Sequence, residues 1–155
     1  MTTKSNSEPT ATKRWDDPGL LLPEFRSRVE LLLNRLTAAG FEPVLFETYR
    51  SPERAAALAK RGTGIALSMH CLAAAADIIC RRHKWDCGKN DCQFYEQLGK
   101  HAEHVGIYWG GLWKTRDLPH VQAIPVNKQA ALRGANDQTA RERIVAQSLR
   151  PVRPC

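Results

Sequence analysis

The sequence has no long run of apolar residues. Its first dozen residues are polar and rich in Thr and Ser, and no segment is long enough for a signal peptide or a membrane span. We therefore expect synthesis in the cytoplasm without a signal peptide, and no stable insertion into a membrane. A chain of 155 residues also leaves no room for a second module, so we expect one domain with its own core.

Acidic residues are in the minority, and aromatic residues are missing from the basic C-terminal segment. The chain has 23 Lys and Arg against 16 Asp and Glu, a formal net charge of +7. Nucleic-acid binding favours aromatic side chains interleaved with such charge, so we expect no nucleic-acid partner. Attraction to an anionic cell envelope and a plain solvated surface both remain open. The cations of this segment are Lys128, Arg133, Arg141, Arg143, Arg150 and Arg153, against Asp137 and Glu142.

The first half of the chain predicts a helix, a strand and a second helix. Pro23 begins a helix with one apolar face, and Gly40 follows at the expected end. Within residues 41–48, Val44, Phe46 and Thr48 lie two positions apart, which predicts a strand that points them to one face. Ser51 can cap a helix that has a first-turn proline and an early acid, and Gly62 ends that helix.

The second half continues this mixture. Residues 73–79 are small and then β-branched, which predicts a strand. A helix begins near residue 91 with apolar residues at helical spacing, and Gly106 stops it. His120 begins a further short apolar stretch. Helices and short strands without βαβ alternation indicate an α+β fold.

Two histidines and two carboxylates are spaced as a catalytic metal site requires. One segment reads S-M-H-C-L-A-A-A-A-D, and a later one reads D-L-P-H after a W-G-G turn. His70, Asp77 and His120 would give one Zn²⁺ ion three N and O ligands and leave the fourth position open for water. Asp117 is then left as a base, three residues before His120.

These segments resemble a family of zinc-dependent peptidoglycan peptidases that includes D-Ala-D-Ala carboxypeptidases and phage L-alanyl-D-glutamate endolysins. The family pattern is Y-R-S-x-x-R, then S-x-H-x-x-G-x-A-x-D, then W-G-G-x-W, then D-x-x-H or E-x-x-H. The resemblance spans roughly residues 25–126, with all four motifs in this order. The matching residues are Tyr49, Arg50, Ser51, Arg54, Ser68, His70, Ala75, Asp77, Trp109, Gly110, Gly111, Trp113, Asp117 and His120.

Two positions depart from the family pattern. Ala73 stands where the family has glycine, and alanine is disfavoured there if the backbone needs a positive φ. Leu112 replaces the acidic residue that is common before Trp113 in the endolysin branch. Neither position is a proposed ligand or the base. Both departures therefore concern turn geometry and substrate preference more than metal binding.

The resemblance implies a fold and a division of the chain. The expected fold is a small antiparallel sheet flanked by helices, as in hedgehog and DD-peptidase domains. We expect a flexible N-terminal tail over residues 1–15 and a zinc peptidase domain over residues 16–130. A basic C-terminal extension, partly helical or flexible, would follow over residues 131–155.

The resemblance also implies roles for individual residues. One zinc ion would polarise the scissile carbonyl, and Asp117 would take a proton from water and later deliver it to the leaving amine. Arg50 would bind a substrate carboxylate or stabilise the oxyanion. Ser68, Trp109 and Trp113 are candidates for substrate contact.

The expected substrate is the peptidoglycan stem peptide. Short chains with an Asp base and a W-G-G-x-W segment most resemble L-Ala-D-Glu endopeptidases, and D-Ala-D-Ala carboxypeptidase is the alternative. The enzyme, expected as a monomer, would act at the cell wall or in the periplasm. Reaching that place requires a release route, such as the holin pore of a lytic phage or a prophage cassette.

A second cluster gives an alternative from another class. Cys80, His83, Cys87 and Cys92 are spaced C-x2-H-x3-C-x4-C and could hold a structural zinc, as in a basic zinc-knuckle binding protein. Cys87 and Cys92 could equally form a disulfide, or the thiols could stay free. A catalytically inactive cell-wall-binding protein is the remaining alternative. Loss of a metal ligand or of the base would favour this alternative, but the three proposed ligands and Asp117 are all present.

Overall fold

The computed structural model of this chain describes residues 13–64, 68–87 and 93–154. The predicted α+β class is confirmed, because helices surround a small antiparallel sheet. The elements are α1 (Pro23–Ala38), β1 (Pro43–Glu47), α2 (Pro52–Lys60), β2 (Ala75–Cys80), α3 (Phe94–His104), β3 (Tyr108–Trp109), β4 (His120–Gln122), α4 (Gln129–Arg133) and α5 (Gln138–Ser148).

The four strands form one sheet in the order β1-β2-β4-β3, with antiparallel pairing throughout. β2 lies in the centre and is buried along its whole length. Its Asp77 pairs with His120 on β4 and with Glu47 on β1. Directly opposite residues share a face of the sheet, so these three side chains gather on one face.

The predicted amphipathic helices form the core layer of the fold. α1 buries Phe25, Val29, Leu32 and Leu36 at the predicted helical spacing. α3 packs against α1 with its own apolar face. Its first described turn begins at Phe94, and residues 88–92, where the predicted start falls, lie outside the described residues.

Backbone conformation explains why the central strand begins later than predicted. Residues 73–79 were the expected strand, but β2 begins at Ala75. Ala73 adopts the left-handed conformation, with φ 56° and ψ 27°, at the end of the 3-10 turn Met69–Leu72. A residue in this conformation cannot continue an extended strand. The alanine therefore occupies the positive-φ position for which the family pattern has glycine.

The C-terminal segment folds back onto α1. Val145 on α5 and Leu132 on α4 are fully buried. Arg28 on α1 donates hydrogen bonds to the carbonyl oxygens of Val105 and Arg150, at 2.7 and 2.6 Å. Within the described ranges, no helix combines the length and the apolar character needed to cross a bilayer. Of the expected N-terminal tail, residues 1–12 lie outside the described part of the chain.

Candidate active site

The structure brings His70, Asp77 and His120 together. In the described part of the chain they are the one group of three side chains placed to hold a metal ion, with ligand atoms all within 4.8 Å of one another. His70 lies in the 3-10 turn Met69–Leu72, Asp77 in the middle of β2, and His120 at the start of β4. All three side chains are buried.

A backbone carbonyl fixes the proton of His70. Its Nδ1 lies 2.7 Å from the carbonyl oxygen of Thr48, which can only accept a hydrogen bond, so Nδ1 carries the proton. The lone pair on Nε2 then points to the other side of the ring. This nitrogen lies 3.3 Å from Oδ1 of Asp77.

A side-chain amide fixes His120 in the same way. Gln122 donates from its Nε2 to the carbonyl oxygen of Ile124 at 2.7 Å, which turns its Oε1 towards the histidine. Nε2 of His120 donates to that Oε1 at 3.0 Å. Nδ1 of His120, 3.2 Å from Oδ1 of Asp77, is left with its lone pair. Such outer partners commonly fix the tautomer of metal-binding histidines.

Three acceptor atoms therefore lie within 4.8 Å of one another. A charge-assisted hydrogen bond between a histidine and a carboxylate would be about 2.7–2.9 Å long, shorter than the 3.2 and 3.3 Å found. Ligand atoms about 2.0–2.1 Å from a tetrahedral ion lie about 3.3 Å apart. The donor set of two imidazoles and one carboxylate thus fits a single zinc-like cation with an open fourth position.

The electrostatics of the cluster also favour a cation. Burial alone would raise the pKa of Asp77, but the neighbouring His70 and His120 outweigh it and hold that pKa far below its usual range. Burial would lower the pKa of His120, yet the hydrogen bond to Asp77 outweighs burial and raises it. Asp77 is therefore ionised near neutral pH, and the cluster attracts either a proton or a metal ion.

Asp117 stands beside this cluster. Its half-exposed side chain places Oδ2 3.9 Å from Nδ1 of His120. The backbone of Gly110 holds it in place, because the Asp117 N–H donates to the Gly110 carbonyl at 3.0 Å. Burial raises the pKa of Asp117, and the charge of His120 only partly offsets this effect. A carboxylate with a raised pKa is suited to act as a base.

The two tryptophans of the W-G-G-x-W segment have different positions. The ring of Trp109 packs against Gly99 and Gly111, where an added Cβ would lie only 2.2 and 2.1 Å from ring atoms. Its Nε1 donates to the carbonyl of Leu118 at 2.7 Å, and Trp109 does not line the cleft. Trp113 does line it, with its ring 5.1 Å from that of His120. Trp109 therefore has a packing role in this fold, and its predicted contact with substrate stays a prediction.

Arg50 and Ser68 both line the cleft, and both have partners inside the protein. Arg50 donates from Nε and Nη2 to the carboxylate of Glu47, at 3.2 and 2.8 Å. Its Nη2 also lies 3.8 Å from Oδ2 of Asp77. Ser68 caps the turn that carries His70 by accepting the His70 N–H at 3.2 Å.

The cleft around these residues has a volume of about 920 Å³. Its wall contains several cations and aromatic rings in addition to the metal cluster and Asp117. These side chains are Arg50, Arg54, Lys114, Arg116, Phe46, Trp85 and Trp113. A cleft of this size and composition fits a peptide with carboxylate groups.

The sequence patterns did not single out Glu47, Thr48 and Gln122 as residues of the site. Gln122 could have been predicted from its spacing to His120. Residues two apart on a strand point to the same face, and Gln122 follows His120 by two positions. Glu47 lies three residues before Arg50, a weaker signal. Thr48 acts through its carbonyl, which no side-chain pattern can reveal.

The cysteine cluster does not form the alternative zinc site. Cys87 is disulfide-bonded and cannot supply a thiolate to a metal. Cys80 is a buried free thiol. Cys92 lies outside the described residues. The zinc-knuckle interpretation therefore lacks one of its four ligands.

Comparisons with known proteins agree with this geometry. The model of a family described as D-alanyl-D-alanine carboxypeptidase matches residues 61–123, which include the three candidate ligands and Asp117. The fold is similar to that of the Serratia marcescens L-Ala D-Glu endopeptidase ChiX, with 21% identity, a TM-score of 0.56 and coverage of 72% of this chain and 86% of that one. It is also similar to the LdcB LD-carboxypeptidase, with 14% identity, a TM-score of 0.54 and coverage of 84% and 70%. No curated protein matches the sequence.

Proposed function

We propose that this chain is a peptidoglycan peptidase of the family whose model matches residues 61–123, and that it is a zinc-dependent hydrolase of the stem peptide that cuts the L-Ala-D-Glu bond. The observation that carries this proposal is the meeting of three acceptor atoms from His70, Asp77 and His120 beside a carboxylate base. The ligand set is typical of catalytic zinc sites, which keep one position for water or substrate.

When bound, zinc would polarise the scissile carbonyl and acidify a water molecule. His70 and His120 would hold the ion through the lone pairs of Nε2 and Nδ1, because Thr48 and Gln122 fix the protons on their other ring nitrogens. Oδ2 of Asp117 accepts the proton of the attacking water and passes it to the leaving amine. The guanidinium of Arg50 faces the cleft beside Asp77, where it can stabilise negative charge on the substrate.

The choice of bond rests on the similarity to ChiX, which is described as an L-Ala D-Glu endopeptidase. The aspartate base and the W-G-G-x-W segment agree with this choice. Cleavage of D-Ala-D-Ala is the alternative, favoured by the description of the matched family. For either bond the substrate lies in the cell wall, so the proposed place of action is the wall or the periplasm. A holin pore of a phage or prophage remains our proposed route.

Mass spectrometry of digested peptidoglycan tests the proposal. Purified peptidoglycan is incubated with zinc-loaded wild-type protein, with His70→Ala and with Asp117→Ala. Asp16→Ala serves as a control because Asp16 is exposed and lies outside the cleft. New L-alanine carboxyl ends and D-glutamate amino ends are expected from the wild type and the control alone.

Other results would change the conclusion. Released D-alanine would establish the carboxypeptidase instead. Absence of any product, together with co-sedimentation of the protein with peptidoglycan, would identify a catalytically inactive wall-binding protein.

A further inference from the structure

Glu47 reaches the active-site face of the sheet because β1 contains a bulge. Leu45 pairs with Ile78, and Glu47 pairs with Asp77. The register therefore shifts by two residues along β1 for a shift of one residue along β2. In a regular strand Leu45 and Glu47 would point to the same face. The bulge breaks this alternation. Leu45 packs against the core, whereas Glu47 lines the cleft with Asp77.

On this face of the sheet, Glu47 forms ion pairs with two arginines. Its carboxylate accepts from Nε and Nη2 of Arg50, at 3.2 and 2.8 Å, and from Nε of Arg54 at 2.7 Å. The Glu47 residue is only 2% exposed, and Arg50 is 8% exposed. Burying such ions is costly, and a buried ion pair is often no more stable than apolar residues of the same size. Stability alone therefore does not explain this group.

The position of Arg50 indicates what Glu47 does. Nη2 of Arg50 is 2.8 Å from Glu47 but 3.8 Å from Oδ2 of Asp77, a distance too long for a hydrogen bond. Asp77 is thus the second carboxylate with which this buried guanidinium forms an ion pair. If Glu47 lost its charge, we expect the guanidinium of Arg50 to move towards Asp77 and form a hydrogen-bonded ion pair with Oδ2. That contact would withdraw electron density from a metal ligand.

We propose that Glu47 is a positioning residue that holds the guanidinium of Arg50 next to Asp77 without letting it close on Oδ2. Asp77 can then serve as a full metal ligand while Arg50 stays directed into the cleft. The proposal rests on the proposed function only in taking the cluster as a zinc site. It assigns to Glu47 no contact with substrate or metal.

A double-mutant cycle with zinc affinity as the readout tests this role. Glu47→Gln keeps the size of the side chain and removes its charge, and we expect zinc affinity to fall about tenfold, as for other outer partners of metal ligands. Arg50→Gln alone is expected to change zinc affinity less than about threefold. The double variant should regain affinity close to that of the wild type, because the competing guanidinium is gone.

Glu53→Gln is the matched control, since Glu53 is an exposed residue of α2 and does not line the cleft. Zinc affinity would be measured by competition with a chromophoric chelator, and thermal unfolding would monitor the fold. A general loss of structure from Glu47→Gln would not be reversed by removing Arg50. Additive losses in the double variant, or no effect of Glu47→Gln, would overturn the proposal.

A second variant decides the question if Glu47→Gln does not fold. Glu47→Asp keeps the charge but shortens the reach by about 1.5 Å, one carbon–carbon bond. We expect a smaller loss of zinc affinity that Arg50→Gln again reverses, and a loss that persists would contradict the proposal. Peptidase activity is measured separately. An inactive wild type that still shows this rescue would refute the proposed reaction and leave the role of Glu47 standing.

Discussion

Two groups of side chains meet at Asp77, and their charges are balanced in different ways. On one side, His70 and His120 direct lone pairs at Oδ1, and their own protons are already used by uncharged partners. On the other side, Arg50 lies near Oδ2, and the positive charge of Arg50 is neutralised by an ion pair with Glu47. The first group offers three acceptor atoms and a single negative charge, whereas in the second group the positive charge of Arg50 is paired with Glu47 within the protein. The histidine group is therefore the candidate metal-binding site, and the Arg50–Glu47 pair is the structure that supports it.

The largest effect is expected from Asp77→Asn, because Asp77 belongs to both groups. The amide has the same shape but no negative charge, so it can neither balance a cation nor pair with Arg50. We expect zinc affinity to fall by more than about 100-fold, beyond the loss typical of outer partners. Peptide hydrolysis should fall to background. Retention of zinc by Asp77→Asn, measured by metal analysis after gel filtration, would contradict the ligand assignment.

Asp117→Asn separates proton transfer from metal binding. We expect kcat to fall by about 10²–10⁴-fold, the usual contribution of a general base, while one zinc remains bound. For the wild type, kcat/KM should decline as the pH falls through the raised pKa of Asp117, because the protonated carboxyl cannot accept a proton. Steady-state rates measured from weakly acidic to neutral pH test this, with metal content checked at each pH. An unchanged kcat would exclude Asp117 as the base.

Gln122→Leu tests whether the uncharged hydrogen-bond partner of His120 contributes to metal affinity. The substitution removes the acceptor that fixes the Nε2 proton of His120, so both tautomers become accessible. Zinc affinity should fall by about 10–100-fold, less than for Asp77→Asn. Gln147→Leu, at an exposed position of α5, is the matched control. Equal affinities for the two variants would show that Gln122 does not orient the histidine.

The smallest effect concerns the backbone that carries His70. Ala73→Gly should raise the free energy of unfolding by about 1 kcal/mol, because glycine adopts the left-handed conformation without the penalty of a Cβ atom. Ala56→Gly, in the exposed face of α2, should lower it by about 1 kcal/mol. Denaturant unfolding of both variants measures the difference. Destabilisation by Ala73→Gly would show that the positive φ does not strain this turn.

Much of the architecture could be predicted from the sequence because apolar spacing and capping residues act locally. α1 begins at Pro23 as expected, and Ser51 caps α2 through the N–H of Arg54. The family motifs also singled out the three residues that the structure brings together. Their spacing reflects a turn followed by a strand, which is a local property of the chain.

The remaining features depend on contacts that the sequence does not display. The sequence does not reveal the bulge in β1, because the two-residue spacing of Val44, Phe46 and Thr48 predicts a regular strand. Trp109 and Trp113 belong to one motif, and only packing against Gly99 shows that Trp109 faces inward. Glu47 gained its place through the bulge, so its link to Arg50 could not be predicted with the metal ligands.

Titration of metal-free protein with zinc tests the central claim most directly. We predict one Zn²⁺ bound per wild-type chain and none to His120→Ala, which lacks one of the three converging acceptors while Asp77 and His70 remain. Binding would be followed by competition with a chromophoric chelator, with circular dichroism to show that both proteins are folded. A wild type that binds no zinc, or a His120→Ala variant that binds it equally well, would contradict the account.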